Sequence, residues 1–175
     1  MLDLAIKHKE ELKKEIIETM FLEKYKFYNP ASFYSEFMID EKNVGWNSIE
    51  CVSYDKKKKK IVGYLMATIN RDAGFIDGLG IINFTDDKIT FGKDLGEFLL
   101  KIIKREDIRK ICFSASVENK INKTYEKMIK KYNGRIVGIN LQHYKLFDGT
   151  YSDRVMYEID TKEIKKVLNN RGRVL

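Results

Sequence analysis

The chain has 175 residues, 43% hydrophobic and 34% charged, and its 33 basic against 26 acidic residues give a net charge of +7. That length fits one domain with a substantial core, and no apolar run reaches the roughly 20 residues of a bilayer-spanning helix, so no membrane partner is expected. The charged opening MLDLAIKHKEELKKE argues against a secretory signal and for the cytoplasm, while Cys51 and Cys112 read as buried free thiols and the scattered His8 and His143 form no metal-ligand cluster.

Leu12, Ile16 and Met20, with Ile17 and Phe21, form an apolar stripe among lysines and glutamates and predict an amphipathic helix. Asn29 and Pro30 suit the cap and first position of a second helix running to about Ile39. After the loop DEKNVGWN, three strands are expected, Ser48 to Tyr54, Lys60 to Asn70 and Phe75 to Phe84. The lysine run DKKKKK and the turn RDAG join them into an antiparallel meander. The lysine run and the net charge permit nucleic acid or a phosphorylated ligand. A nucleic-acid face would add interleaved aromatics or a recognition helix. The run therefore reads as a solvated hairpin tip, and nucleic acid is not the expected partner.

The stretch TFGKDLGEFLLKIIK predicts a helix whose buried face is Leu95, Phe98, Leu99, Ile102 and Ile103. It should follow the loop TDDKIT and end near Glu106. Gly92 and Gly96 flank its beginning, although each glycine weakens a helix by roughly 1 kcal/mol relative to alanine. Glycines so placed point to close approach of a ligand or of another backbone. KICFSASV is a strand with Ile111, Phe113, Ala115 and Val117 inward, and ENKINKTYEKMIKKYNG is a helix closed by Asn133-Gly134. RIVGINLQHYKLF and SDRVMYEID are strands joined at DGTY. The tail TKEIKKVLNNRGRVL starts as a short helix and frays, a peripheral segment at 161–175. The whole reads as one mixed α/β domain, 1–175.

This order of elements resembles the GCN5-related N-acetyltransferases, the GNAT family. IDGLGIINF resembles the family's central strand beside the pantetheine arm, and FGKDLGEFLL resembles the loop and helix that grip the pyrophosphate. ENKINKTYEKM resembles the segment where an asparagine follows a strand and a tyrosine sits on the next helix. GRIVGI and LFDGTYSDRVMYEI resemble the closing strand pair of a subgroup of the family. The usual amino-terminal strand is not evident. The resemblance implies a GNAT-like acyl-CoA N-acyltransferase fold, α/β, with a mixed, mostly antiparallel central sheet flanked by helices. It implies acetyl-CoA as cosubstrate and direct attack by an amine, of a small molecule or a peptide, in a ternary complex. A homodimer is compatible with it. The family signature Gln/Arg-x-x-Gly-x-Gly/Ala, laid on Phe91-Gly92-Lys93-Asp94-Leu95-Gly96, matches at Gly96 and departs at Phe91 and Asp94. In the family, N–H groups at this helix start bind the pyrophosphate, as free donors and the positive end of the helix dipole would. A carboxylate at Asp94 would repel a diphosphate unless it points away or caps the helix. The departures favour a second reading, a GNAT-fold protein that binds coenzyme A or a partner without catalysis.

Acetyl transfer needs a neutral amine, although a lysine-like amine has a pKa of about 10.4. It also needs a polarised thioester carbonyl and a proton for the departing thiolate. By resemblance, Tyr125 is the candidate leaving-group acid; it also falls in an apolar stripe with Ile121, Met128, Ile129 and Tyr132. Asp77 is the candidate base, with Asp153 or Glu50 as others; it could equally pair with a lysine or turn with Gly78. Backbone groups of Ile82, Asn83 and Phe84 would meet pantetheine or the acetyl oxygen. Asn119 would bond the pantetheine arm or cap the helix. Phe21, Tyr25, Phe27, Tyr28, Phe33, Tyr34, Phe37 and Trp46 crowd the region bordering the acceptor pocket in the family. Asp148, Tyr151 and Asp153 of DGTYSD could reach that pocket or form a solvated turn.

Overall fold

The computed structural model describes residues 1–20, 46–85, 88–146 and 149–170. The chain opens on a strand, β1 (Leu2–Leu4), that pairs antiparallel with β2 (Ser48–Asp55). This is the amino-terminal strand that the sequence did not reveal, because three residues are too few to show an alternating pattern. A single turn of 3-10 helix (Ala5–His8) leads into α1 (Lys9–Met20). Leu12 and Ile16 of α1 are buried, as their spacing predicts, whereas Ile17, expected in the same stripe, is 45% exposed. The expected second helix at Pro30 to Ile39, and the aromatics from Phe21 to Phe37, lie outside the described residues.

The meander follows with β2, β3 (Lys60–Asn70) and β4 (Phe75–Asn83), all antiparallel. The lysine run forms the β2–β3 turn. Asp55 accepts hydrogen bonds from the backbone N–H groups of Lys57 and Lys58, and Lys59 takes a left-handed φ of 49°. All of Lys56 to Lys60 face solvent.

Helix α2 (Lys88–Ile103) returns to β5 (Lys110–Ser116), which joins β4 in parallel. Ile111, Phe113 and Ala115 point inward as expected, while Val117 lies past the strand and is 51% exposed. Helix α3 (Asn122–Lys131) is closed by Asn133 at φ 53°, with the Gly134 N–H donating to Ile129 O. The hairpin β6 (Arg135–Lys145) and β7 (Tyr151–Asp160) completes a sheet that has seven strands among the described residues, in the order β1-β2-β3-β4-β5-β7-β6.

The segment expected to fray instead forms α4 (Thr161–Asn169). Asp160 caps it by accepting from Lys162 N at 2.8 Å, and the Thr161 hydroxyl donates to the carbonyls of Ile108 and Arg109. Its apolar side chains Ile164 and Leu168 are 5% and 6% exposed. They belong to the main core, which α2, α3 and α4 cover on one face of the sheet. A smaller core under α1, built on Leu12, Ile16, Val52, Ile61 and Tyr64, occupies the other face. No helix among the described residues is long and apolar enough to cross a membrane.

Candidate functional site

Among the described residues, one pair of neighbouring strands is parallel, and it comes apart almost at once. β4 and β5 are in register at Phe75–Lys110 and Ile76–Ile111 and then diverge. At the point of divergence β4 carries a bulge: Thr68 faces Gly78 and Ile69 faces Ile76, so Asp77 is the extra residue. Asp77 is exposed and lies beside Cys112, on the face opposite Ile111 and Phe113. Burial raises the Cys112 thiol, opposed by Lys110 and reinforced by Glu158 and Asp77; burial likewise raises Cys51. Neither cysteine is poised as a thiolate nucleophile.

Beyond the bulge, the two edges of β4 face different surroundings. The Phe84 N–H donates to Val62 O at 2.9 Å. Antiparallel pairing alternates along a strand, so Gly80 and Ile82, in phase with Phe84, turn their backbone groups toward β3. Leu79, Ile81 and Asn83 turn theirs toward the gap that β5 has left. Of the three residues expected to offer backbone groups to pantetheine, Asn83 is the one that faces the gap; Ile82 and Phe84 are turned to β3.

A cavity of about 360 Å³ lies over this gap, between α2 and α3. Leu79 and Phe113 from the two diverging strands form its floor, Gly96, Leu99 and Ile103 one wall, and Thr124 and Met128 the other. Ile164 and Leu168 of α4 close its base, and Lys127 and Lys131 stand on its rim. Among the residues expected to bind coenzyme, Gly96 alone lines it. A β-carbon there would meet nothing within 4 Å, so the glycine leaves open room on this side of α2.

The start of α2 differs from its expected position. The helix begins at Lys88, so the N–H groups of its first turn, which have no carbonyl one turn back within the helix, belong to Lys88, Ile89, Thr90 and Phe91. Gly92, Lys93, Asp94, Leu95 and Gly96 fall inside the helix, where backbone N–H groups bond four residues back. The Phe91 side chain is buried and presses on Gly63, where any β-carbon would stand 2.3 Å from the ring. Asp94 is 2% exposed and points away from the helix start. It accepts from the Ser53 hydroxyl at 2.6 Å and lies 2.9 Å from the Met1 ammonium. The repulsion expected between Asp94 and a diphosphate therefore does not arise; the carboxylate fastens α2 to β2. Lys93 is exposed and Leu95 half-buried.

Tyr125 sits on α3, 8% exposed, edge-on to Phe113 at 4.6 Å and to Tyr157 at 5.4 Å. Burial pushes its phenol up to about 12. Its ring stands behind Phe113 and does not line the cavity. Asn119 accepts from Ile121 N at 3.0 Å, a turn that leads into α3. Asn122 was not singled out from the sequence. Its amide donates to the carbonyls of Ser116 and Val117, and its carbonyl accepts from the Tyr157 hydroxyl at 3.0 Å. Both asparagines occupy one turn of ENKINK, and nothing in the pattern distinguishes the one that ties β5 to α3.

The remaining acid candidates are engaged elsewhere. Glu50 accepts from the Tyr64 hydroxyl at 2.9 Å and from Ser48 at 3.0 Å. Asp153 accepts from Gln142 N at 2.8 Å. Trp46 is 73% exposed, stacked under the Arg71 guanidinium at 4.5 Å, and Tyr151 is 61% exposed. Asp148 lies outside the described residues.

No family model and no curated protein matches the sequence. Solved structures do. A GCN5-related N-acetyltransferase from Brucella melitensis superposes with a TM-score of 0.65 at 18% identity, over 96% of this chain and 78% of that one. A point mutant of the spermidine N-acetyltransferase SpeG from Vibrio cholerae gives 0.65 at 16% identity, over 98% of this chain and 99% of that one. The chain has the GNAT fold: a mixed, mostly antiparallel seven-stranded sheet with its helices on both faces.

Proposed function

We propose that this protein is an N-acyltransferase that moves the acetyl group of acetyl-CoA to an amine by direct attack in a ternary complex. The observation that carries the reading is the parting of β4 from β5, which turns the backbone of Leu79 and Ile81 toward a gap instead of a neighbouring strand. An amide-bearing arm such as pantetheine can bond an edge of this kind as an added strand would. The first turn of α2, Lys88 to Phe91, stands at the same end of β4, and the positive end of a helix dipole attracts phosphate. The GNAT fold of the chain agrees with this reading by analogy.

The acceptor loses a proton to water or to Asp77, and its neutral nitrogen attacks the thioester carbonyl carbon. The C–N bond forms as the C–S bond breaks, the acylated nitrogen releases its extra proton to water, and the coenzyme leaves as a thiolate that takes up a proton from a donor which water then restores. Tyr125 is the proposed source of that proton. Its raised pKa keeps the phenol protonated at neutral pH, and its hydroxyl has no hydrogen-bond partner among the described residues. Donation to sulfur requires that the Phe113 ring move aside, since it stands between Tyr125 and the cavity. Asn83 and Asn119 remain the proposed polar contacts to the arm. The acceptor is an amine of a small molecule or a peptide, and the proposed setting is the cytoplasm.

A thermal-shift titration with acetyl-CoA, with ATP as the phosphate control, tests the coenzyme site. At a hundredfold excess over the dissociation constant, a ligand of the native state adds about 2.7 kcal/mol, or roughly 5–10 °C for a domain of this size. Thiol release over an amine panel then tests turnover. Spermidine opens the panel, because one structural relative is a spermidine N-acetyltransferase by name. Tyr125→Phe should lower turnover by about a hundredfold, within the usual range for a general acid, and spare coenzyme binding. Unchanged turnover removes Tyr125 from the mechanism.

One observation favours a second reading, a GNAT-fold protein that binds coenzyme A or a partner without catalysis. The helix start carries Lys88, Ile89, Thr90 and Phe91 and no glycine, so every backbone N–H of the first turn has a β-carbon beside it where a diphosphate would approach. A thermal shift with acetyl-CoA but no thiol release with any amine would select it.

A further inference from the structure

The cavity between α2 and α3 is far larger than an acetyl group requires. A water-sized group takes about 30 Å³, so its 360 Å³ holds on the order of ten methylene-sized groups. Its floor and walls are apolar: Leu79, Leu99, Ile103, Phe113 and Met128, with Leu168 at the base. Among the described residues no acidic side chain lines it, and the charges on its rim are the ammoniums of Lys127 and Lys131. Gly96 widens it at the middle of α2.

Its position fixes what could enter. The cavity lies on the same face of the sheet as α2, directly over the gap between β4 and β5. From Lys88 to Gly96 the helix descends eight residues, about 12 Å. An arm whose phosphates rest at the helix start and whose amides follow β4 is thus aimed down the gap. Its terminal thioester arrives above Leu79 and Phe113, at the mouth of an apolar chamber closed by α4.

We infer that the preferred donor carries a medium-length acyl chain, about eight to ten carbons, housed in the cleft between α2 and α3. This rests on the coenzyme reading above and adds the identity of the acyl group to it. The chain lies against Leu99 and Met128, and its end meets Leu168.

The test is a direct binding titration, by calorimetry, with the straight-chain series acetyl-, butanoyl-, hexanoyl-, octanoyl-, decanoyl- and hexadecanoyl-CoA, each below its micellar concentration. Each buried methylene should tighten binding roughly fourfold, with the gain ending near ten carbons and hexadecanoyl-CoA binding more weakly than decanoyl-CoA. Leu99→Trp and, from the opposite wall, Met128→Trp fill the chamber. Each should bring the octanoyl and acetyl affinities together. Two variants on separate helices keep the test open if one fails to fold. Coenzyme A and acetyl-CoA binding as tightly as octanoyl-CoA in the native protein overturns the inference and leaves the coenzyme reading standing. A gain with chain length that persists in both tryptophan variants also overturns it, because the chain then lies elsewhere. No binding by any thioester, coenzyme A included, overturns both.

Discussion

Two regions border the gap in the sheet, and they have kept different things. The parted strands β4 and β5 keep a geometry: a bulge at Asp77, a backbone edge turned to the gap, and an open chamber over Leu79 and Phe113. The start of α2 keeps its place in the fold but has given its side chains to packing. Phe91 fills the space over Gly63, and Asp94 ties the helix to Ser53 and Met1. Backbone geometry tolerates many sequences, because strand pairing and bulges depend on main-chain groups. A glycine-rich anion loop does not, because its function needs residues without side chains. The first kind of feature therefore survives where a motif search finds nothing.

Phe91→Ala should have the largest effect. If the ring is packing, its loss should cost about 3–4 kcal/mol, a fall in Tm on the order of 10 °C, with coenzyme affinity nearly unchanged in the folded protein. A tenfold loss of affinity with little change in Tm would return Phe91 to the coenzyme site. Asp94→Ala comes next. It strands the buried Ser53 hydroxyl and removes the ionic partner of the half-exposed Met1 ammonium, which keeps its bond to Tyr54 O, and should cost about 1–3 kcal/mol, read by urea denaturation. Gly63→Ala should cost about 1–3 kcal/mol through overpacking against Phe91 and the Ile82 carbonyl.

A smaller effect probes the other side of the gap. Glu158 on β7 binds Lys110 of β5 and Arg135 of β6, each at 2.7 Å. Lys110 first, and Arg135 with it, hold the Glu158 carboxyl below its ordinary value. A depressed carboxyl contributes stability that is present above about pH 4.5 and is lost as pH falls through the lower folded value. Glu158→Gln should remove roughly 1 kcal/mol at neutral pH, since the pair is partly exposed. It should also flatten the acid limb of the stability profile. A profile identical to the native one would mean that the pair is already screened. The smallest effect belongs to the hairpin tip. Replacing Lys56 to Lys59 with serine should change stability by less than about 0.5 kcal/mol and leave acyl-CoA affinity unaltered.

The meander is legible because long apolar runs separated by a lysine turn have one good solution, and β2, β3 and β4 match their expected spans within a residue. Ile111, Phe113 and Ala115 are legible by alternation. The pattern places the start of α2 two residues late because Gly92 resembles a boundary. The helix in fact begins among Lys88, Ile89 and Thr90, whose only local cue is the preceding acidic loop. The direction of Asp94 is not legible, because its partner Ser53 lies 41 positions away. The same holds for α4. Its Ile164 and Leu168 carry helical spacing, but only the tertiary fold shows that a core awaits them. The chamber itself is a product of three helices and two strands, and no local pattern encodes it.

The bulge at Asp77 carries one more consequence. Asp77 faces the side of the sheet away from α2 and α3, while the chamber and Tyr125 lie on theirs. The parted strands thus separate an apolar face under the helices from a face that carries an exposed carboxylate. If the proposed donor binds on the helix face and the amine on the Asp77 face, neither obstructs the other and neither must bind first. Steady-state kinetics should then follow a random-order rate law, with free coenzyme A competing against the thioester and not against the amine.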